Sequence, residues 1–469
     1  MMYPYATGVP RWKVLLGLII LIGFIPKSKL SAEGSVDFIN YPGYRLFYSA
    51  DVPQQMKVYA EPGEFLNIGA SHVGISGGFI RVFKPDGTLA WIFDDSGPTA
   101  NLGIIHTSIQ ERNGPTGGGS TNGAGYRPGV IPVGSGEGGV WTVTFEFPSY
   151  QNVNFNNILN NAAWERGRDQ PTIRRVVLAW DITVSKNAAG NSGGQLLKGR
   201  VFSNEYISIV SQNGNTTSPS YYILTKTGLL YRVDFKDTDP WGFPIASNSR
   251  GIVKGDRQPS YTSQTRPGVT RSDNPENWDP SQFYLYELQA ADTEDFINNK
   301  VFFNPPDPNM PATATVTDIF RQHTYATWLY RDPESLDISF AAFELSGRNE
   351  TACLPQTIEP DMGANFIFES NRSGAARLDL DLNNNGQFTD PVDRTVYQEV
   401  HSGRDTIYWD GKNGLGQTLA IAFGVQIPYQ LRIRSGEVHI LMADVENNPG
   451  GISVTLTNDL GLAENNLIY

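Results

Sequence analysis

The stretch "GGVWTVTFEF" (Gly138 to Phe147) alternates large apolar residues with polar ones, and runs of this kind recur along the chain. A side-chain period of two sets Trp141, Val143, Phe145 and Phe147 on one face and the threonines with Glu146 on the other, which predicts a half-buried strand. In "FIRVFKPDGTLAWIF" (Phe79 to Phe93), Pro85 and Gly87 sit between two such runs, and the segment reads as a hairpin. Three further segments, "RRVVLAWDITV" (Arg174 to Val184), "KGRVFSNEYISIV" (Lys198 to Val210) and "SYYILTKTGLLYRVDF" (Ser220 to Phe235), read as strands, the last turning over at "KTG". A chain of short strands joined by turns is all-β, and a composition with 48 Gly, 30 Pro and only 18% charged residues fits that class better than a helical bundle. The expected architecture is a tandem of β-sandwich units, Ig-like or jelly-roll-like, with long loops.

At roughly 150 residues per domain, 469 residues suffice for about three units, each able to bury its own core. We place them at 33–150, 151–304 and 305–469, the last opening within the proline-rich "FFNPPDPNMPATATV" (Phe302 to Val316), which should run extended. The glycine-rich "NGPTGGGSTNGAGYRPG" (Asn113 to Gly129) has no Gly-Lys-Ser/Thr ending and no helical pattern after it, so it reads as a surface loop and not as a phosphate cradle. The polar stretch from Thr262 to Gln282 reads as a second long loop.

Residues 1–32 have the three-part layout of a secretory leader: Arg11 and Lys13, the apolar run Val14 to Ile25, then Ser31 and Ala32 ahead of an acidic residue. The apolar run is shorter than the roughly 20 residues a spanning helix needs. Cleavage after Ala32 leaves an exported chain with no membrane insertion; an uncleaved N-terminal anchor is the alternative. With one cysteine, Cys353, no intrachain disulfide can form, so stability must come from core burial and bound metal. The net charge of −12 becomes −16 once the leader's Arg11, Lys13, Lys27 and Lys29 are removed, which disfavours nucleic acid and anionic lipid as partners.

The motif with the most chemistry is "LDLDLNNNGQFTDPVDR" (Leu378 to Arg394). Counted from Asp381 in the manner of a calcium loop, Asp381, Asn383 and Asn385 fill the first three ligand positions, Gly386 the sharp turn, and the carbonyl of Gln387 the next position. The closing carboxylate is Asp390 or Asp393, because Val392 stands where the last ligand belongs. Counting from Asp379 brings Asp390 to the end but displaces the glycine from the turn. Leu378, Leu380 and Leu382 alternate with Asp379 and Asp381, and "RTVYQEV" (Arg394 to Val400) reads as a returning strand, so the loop belongs to a β-hairpin and not to an EF-hand. Two neutral asparagines among the ligands predict weak Ca2+ binding, at about 10⁻⁴ to 10⁻³ M. An Asn/Gly turn without an ion is the plainer alternative.

Catalytic constellations are weaker. Asp379 and Asp381 lie on one strand, roughly 6 to 7 Å apart, where a glycosidase needs carboxylates facing each other across its substrate. The histidines His72, His106, His323, His401 and His439 show no zinc spacing, and Cys353 has no nucleophile signature around it. Trp164, Trp241 and Trp278 lie in loop-like contexts and offer faces for sugars, though packing is the commoner use of such residues. We expect no enzyme.

The phrases "AWDITV", "LKGRVFSNEY", "KTGLLYRVDFKDTDPWGF", "LDLNNNGQFTD", "IYWDGKNGLGQTL" and "RSGEVHILMADVENNPGGI", taken in order, resemble the front region of very large surface and adhesin-like proteins of gliding Bacteroidota. That resemblance implies export by the general route, passage through the type IX system, and service as a surface adhesin or filament component. The expected partner is an extracellular surface, a glycan, or further copies of the chain assembled into filaments. A secreted carbohydrate-binding or polysaccharide-degrading protein is the competing expectation. The turn in "YWDGKNGLG" should pack beside the loop at 381–393.

Overall fold

The computed structural model describes residues 33–39, 44–50, 54–115, 125–147, 164, 176–186, 195–210, 215–240, 243–249, 251–254, 283–285, 297–333, 337–346, 363–419, 426–434, 438–442 and 445–458. The leader at 1–32, Cys353, Trp241, Trp278 and the loop at 262–282 lie outside them. The regular structure of the described chain is nearly all strand, with one short α-helix at Ser108–Asn113 and a few 3-10 turns, and its strand pairs are antiparallel. No helix among the described residues is long and apolar enough to cross a membrane.

Two bodies account for the strands. The larger is a sandwich whose first layer is a nine-stranded sheet in the order Ile452–Leu456, Leu230–Phe235, Ser220–Leu224, Lys300–Phe302, Val201–Ser203, Met56–Ala60, Gly139–Glu146, Phe79–Phe83, Leu89–Phe93. Its second layer consists of a five-stranded sheet, His439–Met442, Phe243–Asn248, Tyr206–Val210, Phe47–Ser49, Val176–Val177, and a four-stranded sheet, Gln195–Leu197, Trp180–Lys186, Phe65–Ala70, Gly129–Pro132. One core joins the layers: Val58, Val82, Val143, Tyr221 and Val233 from the first meet Leu66, Ile68, Ile182, Val184, Ile207 and Ile245 from the second. The anticipated hairpin turns over at Lys84 to Thr88 with Gly87 at φ 84°, and Ser220 to Phe235 folds as anticipated.

This pairing corrects the unit boundaries. Met56–Ala60 lies between Val201–Ser203 and Gly139–Glu146, so residues on both sides of position 150 share one sheet and one core. Nor does the chain leave at Pro305: the Asp307 amide donates to the Gly199 carbonyl, and the Asp307 carboxylate pairs with buried Arg200 at 2.6 Å. The hairpin Thr313–Asp318 with His323–Trp328 then packs Val316, Trp328 and Leu329 against Val140, Phe202 and Phe302 of the large body. The prolines mark an extended segment but not a boundary, because a segment without ladder amides can still lie flat against a sheet and bury its neighbours.

The hairpin also explains why Gly139–Glu146 is buried on both faces. Trp141, Val143 and Phe145 face the core as expected, yet Thr142 and Thr144 are buried too. Lys57 Nζ donates to Thr142 Oγ1 at 2.9 Å and to the Thr317 carbonyl at 2.7 Å, tying the sheet's outer face to the covering hairpin.

The smaller body lies between 337 and 434. Ile338–Ser346, Gly363–Ser370 and Gly403–Trp409 form one sheet; Arg394–Val400, Gly374–Leu380 and Tyr429–Arg434 form the other. Between them Phe366, Phe368, Leu378, Leu380, Ile407, Trp409 and Ile433 close a separate core. After it the chain rejoins the large body: His439–Met442 pairs with Phe243–Asn248, and Ile452–Leu456 pairs with Leu230–Phe235. The smaller sandwich is therefore an insertion, and 305–469 is not one unit.

Candidate metal-binding loop

The hairpin of Gly374–Leu380 and Arg394–Val400 presents the segment 381–393 at its end. Leu378 and Leu380 fill the small core, while Asp379, on the other face, accepts from Arg377 Nε at 2.8 Å and Thr395 Oγ1 at 2.6 Å. Asp381 belongs to the turn: its carboxylate accepts the amides of Asn385 at 3.2 Å and Gly386 at 2.8 Å. Asp379 and Asp381 thus have separate tasks and do not face each other as a catalytic pair.

The reversal after Asp381 falls at Asn384 and Gly386. Gly386 has φ 82° and Asn384 φ 56°, the left-handed values a sharp reversal requires and which asparagine and glycine tolerate best. Asn383 Oδ1 accepts the Asn385 amide at 3.2 Å, and Asn385 Oδ1 accepts the Gln387 amide at 2.8 Å, the local bonding that makes these residues turn formers. Asn383 Nδ2 and Asn385 Nδ2 both donate to Asp390 Oδ2, at 2.9 and 2.6 Å. Those two bonds hold the Asp390 carboxyl below its ordinary range. Asp393, buried, accepts from the Leu382 amide at 3.0 Å and the Asp390 amide at 2.9 Å, so it ties the exit of the loop to its entrance.

The six sequence-derived residues are therefore in one loop, but their carboxylates are turned to different donors. Among the described residues no three His, Cys, Asp or Glu side chains are grouped so as to hold a metal ion. The "YWDGKNGLG" turn packs where anticipated: the Gly414 amide donates to the Val392 carbonyl at 3.1 Å, and Arg394 reaches Asp410 at 3.2 Å. Trp164, offered by the sequence as a sugar platform, is buried with Phe47, Ile105 and Tyr126 and serves the core. Sequence reading passed over Trp91, whose ring is 41% exposed on an outermost strand; alternation marked that strand but not its place in the sheet.

Fold and loop together define a two-body, all-β sandwich protein with an asparagine-rich acidic turn. No family model matches the chain, and no curated protein matches it. Among solved structures, a DUF4785 family protein from Legionella pneumophila is aligned over 90% of this chain and 95% of its own at 8% identity, with a TM-score of 0.13. An overlap of that quality carries no argument about fold or function.

Proposed function

We propose that this is an exported, non-catalytic protein of the bacterial surface, an adhesin or filament component of the kind its sequence resembles, with loop 381–393 as a weak calcium site. The observation that carries the reading is the end of the nine-stranded sheet. Leu89–Phe93 pairs on one side with Phe79–Phe83 and among the described residues has no strand on the other, while Leu89, Trp91 and Ile92 are 49%, 41% and 39% exposed. Natural sheets blunt such edges with lysine, proline or covering segments, because an apolar edge is a template for strand addition. Here the edge is kept apolar on a chain of net charge −12, which supports strand addition by a second copy or by a partner's extended segment.

The experiment is analytical ultracentrifugation of the wild type beside Trp91→Lys and Ile92→Lys. Concentration-dependent association that either substitution removes without lowering Tm supports the reading; a wild type that stays monomeric up to high concentration sinks it. A second reading, carbohydrate binding, is favoured by the Trp91 ring, stacked on Phe93 at 6.1 Å between centroids and open to solvent on its strand. A glycan array that responds to wild type but not to Trp91→Ala would replace the first reading by the second.

For calcium, the supporting feature is the convergence of Asn383, Asn385 and Asp390. Turning the two amides brings two oxygens to the side where two N–H groups now meet Asp390 Oδ2, at the cost of the backbone bonds those oxygens accept. Those half-turns of the two amides make a neutral donor pair into cation ligands beside a carboxylate.

A further inference from the structure

Glu33 is the first residue after the anticipated leader, and it is wholly buried. Its carbonyl accepts the Ile182 amide at 2.9 Å, and Gly34 bridges Asp181, so the segment is laid against Trp180–Lys186 as an added stretch of sheet. A Cβ on Gly34 would lie 2.3 Å from the Trp180 carbonyl oxygen, which is why only glycine fits that approach. The Glu33 nitrogen meets two acceptors at once, Asp181 Oδ1 at 3.2 Å and Thr183 Oγ1 at 2.9 Å. An amide has one hydrogen to divide between them, whereas an ammonium has three.

The charges around this nitrogen point the same way. Buried Glu111 has Arg45 at 2.6 Å, and buried Glu64 and Asp307 have Arg200. Asp181, equally buried, takes neutral donors among the described residues: Tyr126 Oη, Thr183 Oγ1 and the Glu33 amide. Burial pushes its carboxyl up to about 7 despite those bonds, and does the same to Asp37, whose carboxylate accepts from Gly34 and Asn304. Glu33's own carboxyl, capped by the amides of Gly199 and Arg200, is raised well above the ordinary range by burial first and by Asp37 second. One of these carboxyls, Asp181, thus meets directly a nitrogen that is neutral only while residue 32 remains attached, and the other two lie on the same short segment, at Glu33 and Asp37.

We propose that removal of residues 1–32 makes Glu33 the first residue and that its new α-ammonium becomes the internal counter-ion of Asp181, so that loss of the leader completes the ionic core of the large body. The cut falls on the unfolded, exported chain, before Glu33 is buried. The inference rests on the export reading for its occurrence in the cell, and on the Glu33 geometry alone for its effect on the fold.

The nitrogen itself meets Asp181 and Thr183; Tyr126 donates to the other oxygen of Asp181, Asp37 acts on Asp181 through its charge with Lys198 beside it, the Glu33 carboxyl is held by Gly199 and Arg200, and the Arg45–Glu111 pair is reached through Ser35. In a chain extended by even one residue, Asp181 has a folded pKa above its unfolded value, so its favourable contribution is complete in acid and is lost as pH rises from about 4 through about 7. With the ammonium in place, the carboxylate and the amine hold each other charged. That contribution persists through neutrality and is lost only above the ordinary α-amino range of about 8.

The test compares chain 33–469 with chain 32–469, each released from a fusion that leaves no foreign residue, by Tm from pH 4 to 10. The expected result is a Tm for 33–469 higher by several degrees near pH 7.5, falling toward that of 32–469 above pH 9, with Asp181→Asn removing the difference. The folded 33–469 chain should also react with an amine-directed reagent at its N-terminus at least tenfold more slowly than the same chain in urea. Superimposable pH profiles, or equal reactivity, overturn the inference whatever export shows. Intact mass of the exported protein reads the other premise: a first residue of Glu33 supports the event in the cell, and any other first residue overturns it there.

Discussion

At the scale of single residues, some of the large body's buried charges are paired one to one, Arg45 with Glu111 above all. Arg45 and Glu111 are each 1% exposed and meet through two 2.6 Å contacts, with Ser35 Oγ donating to the same carboxylate. Removing one partner strands the other, so Arg45→Ala should cost about 3 to 5 kcal/mol in urea denaturation, while Arg45→Met combined with Glu111→Leu should recover most of it. Nothing in the sequence pairs positions 45 and 111; both read as ordinary surface residues. Gly414 is the opposite case, legible as a turn residue but not as a contact. A Cβ there would lie 2.2 Å from the Asp393 carbonyl oxygen and 2.4 Å from that of Pro391. Gly414→Ala should therefore destabilise the small sandwich by about 1 to 3 kcal/mol, read as a lower Tm for that body alone.

At the scale of elements, alternation identified strands well because it is a local property of the chain, and it misjudged their surroundings for the same reason. The strand Gly139–Glu146 shows one apolar and one polar face, but the polar face is covered by a hairpin about 170 residues further along. Threonine and lysine are accepted there because their polar atoms find partners; Lys57 donates to three oxygens and keeps its charge although burial lowers its pKa. The hairpin should behave as a semi-independent cover. Val316→Ala, at a wholly buried position, should loosen it by about 2 kcal/mol, seen as faster amide exchange over 313–328 and at Lys57, with the second layer unchanged.

At the scale of the whole molecule, two cores imply two cooperative units. Calorimetry should resolve two transitions, and calcium should move only the one belonging to 337–434. With a Kd of about 10⁻⁴ to 10⁻³ M, about 10 mM calcium would add roughly 1.4 to 2.7 kcal/mol to that body through mass action. Chelator should reverse the shift and Asp381→Ala should abolish it; a transition indifferent to calcium removes the ion from the reading. The large body joins strands as distant as Val58 with Val201 and Val233 with Val454, pairings that must close long loops before they are stabilised, so it should be the slower of the two to refold.

Many of the strands and their turns, among them the opening turn of the loop at 381–393, were determined by the sequence alone. Side-chain period, turn glycines and Asx bonding act over a few residues, and the opening turn of that loop closes on its own amides. Outside the hairpins, which strand lies beside which was decided only by tertiary structure. Alternation says that a face is buried and not what buries it, and so the shared nine-stranded sheet, the inserted sandwich and the open edge at Leu89–Phe93 had no local signal. The same holds for Glu33: the sequence marks it only as a residue beside an anticipated cleavage site, and the fold alone sets its nitrogen against Asp181.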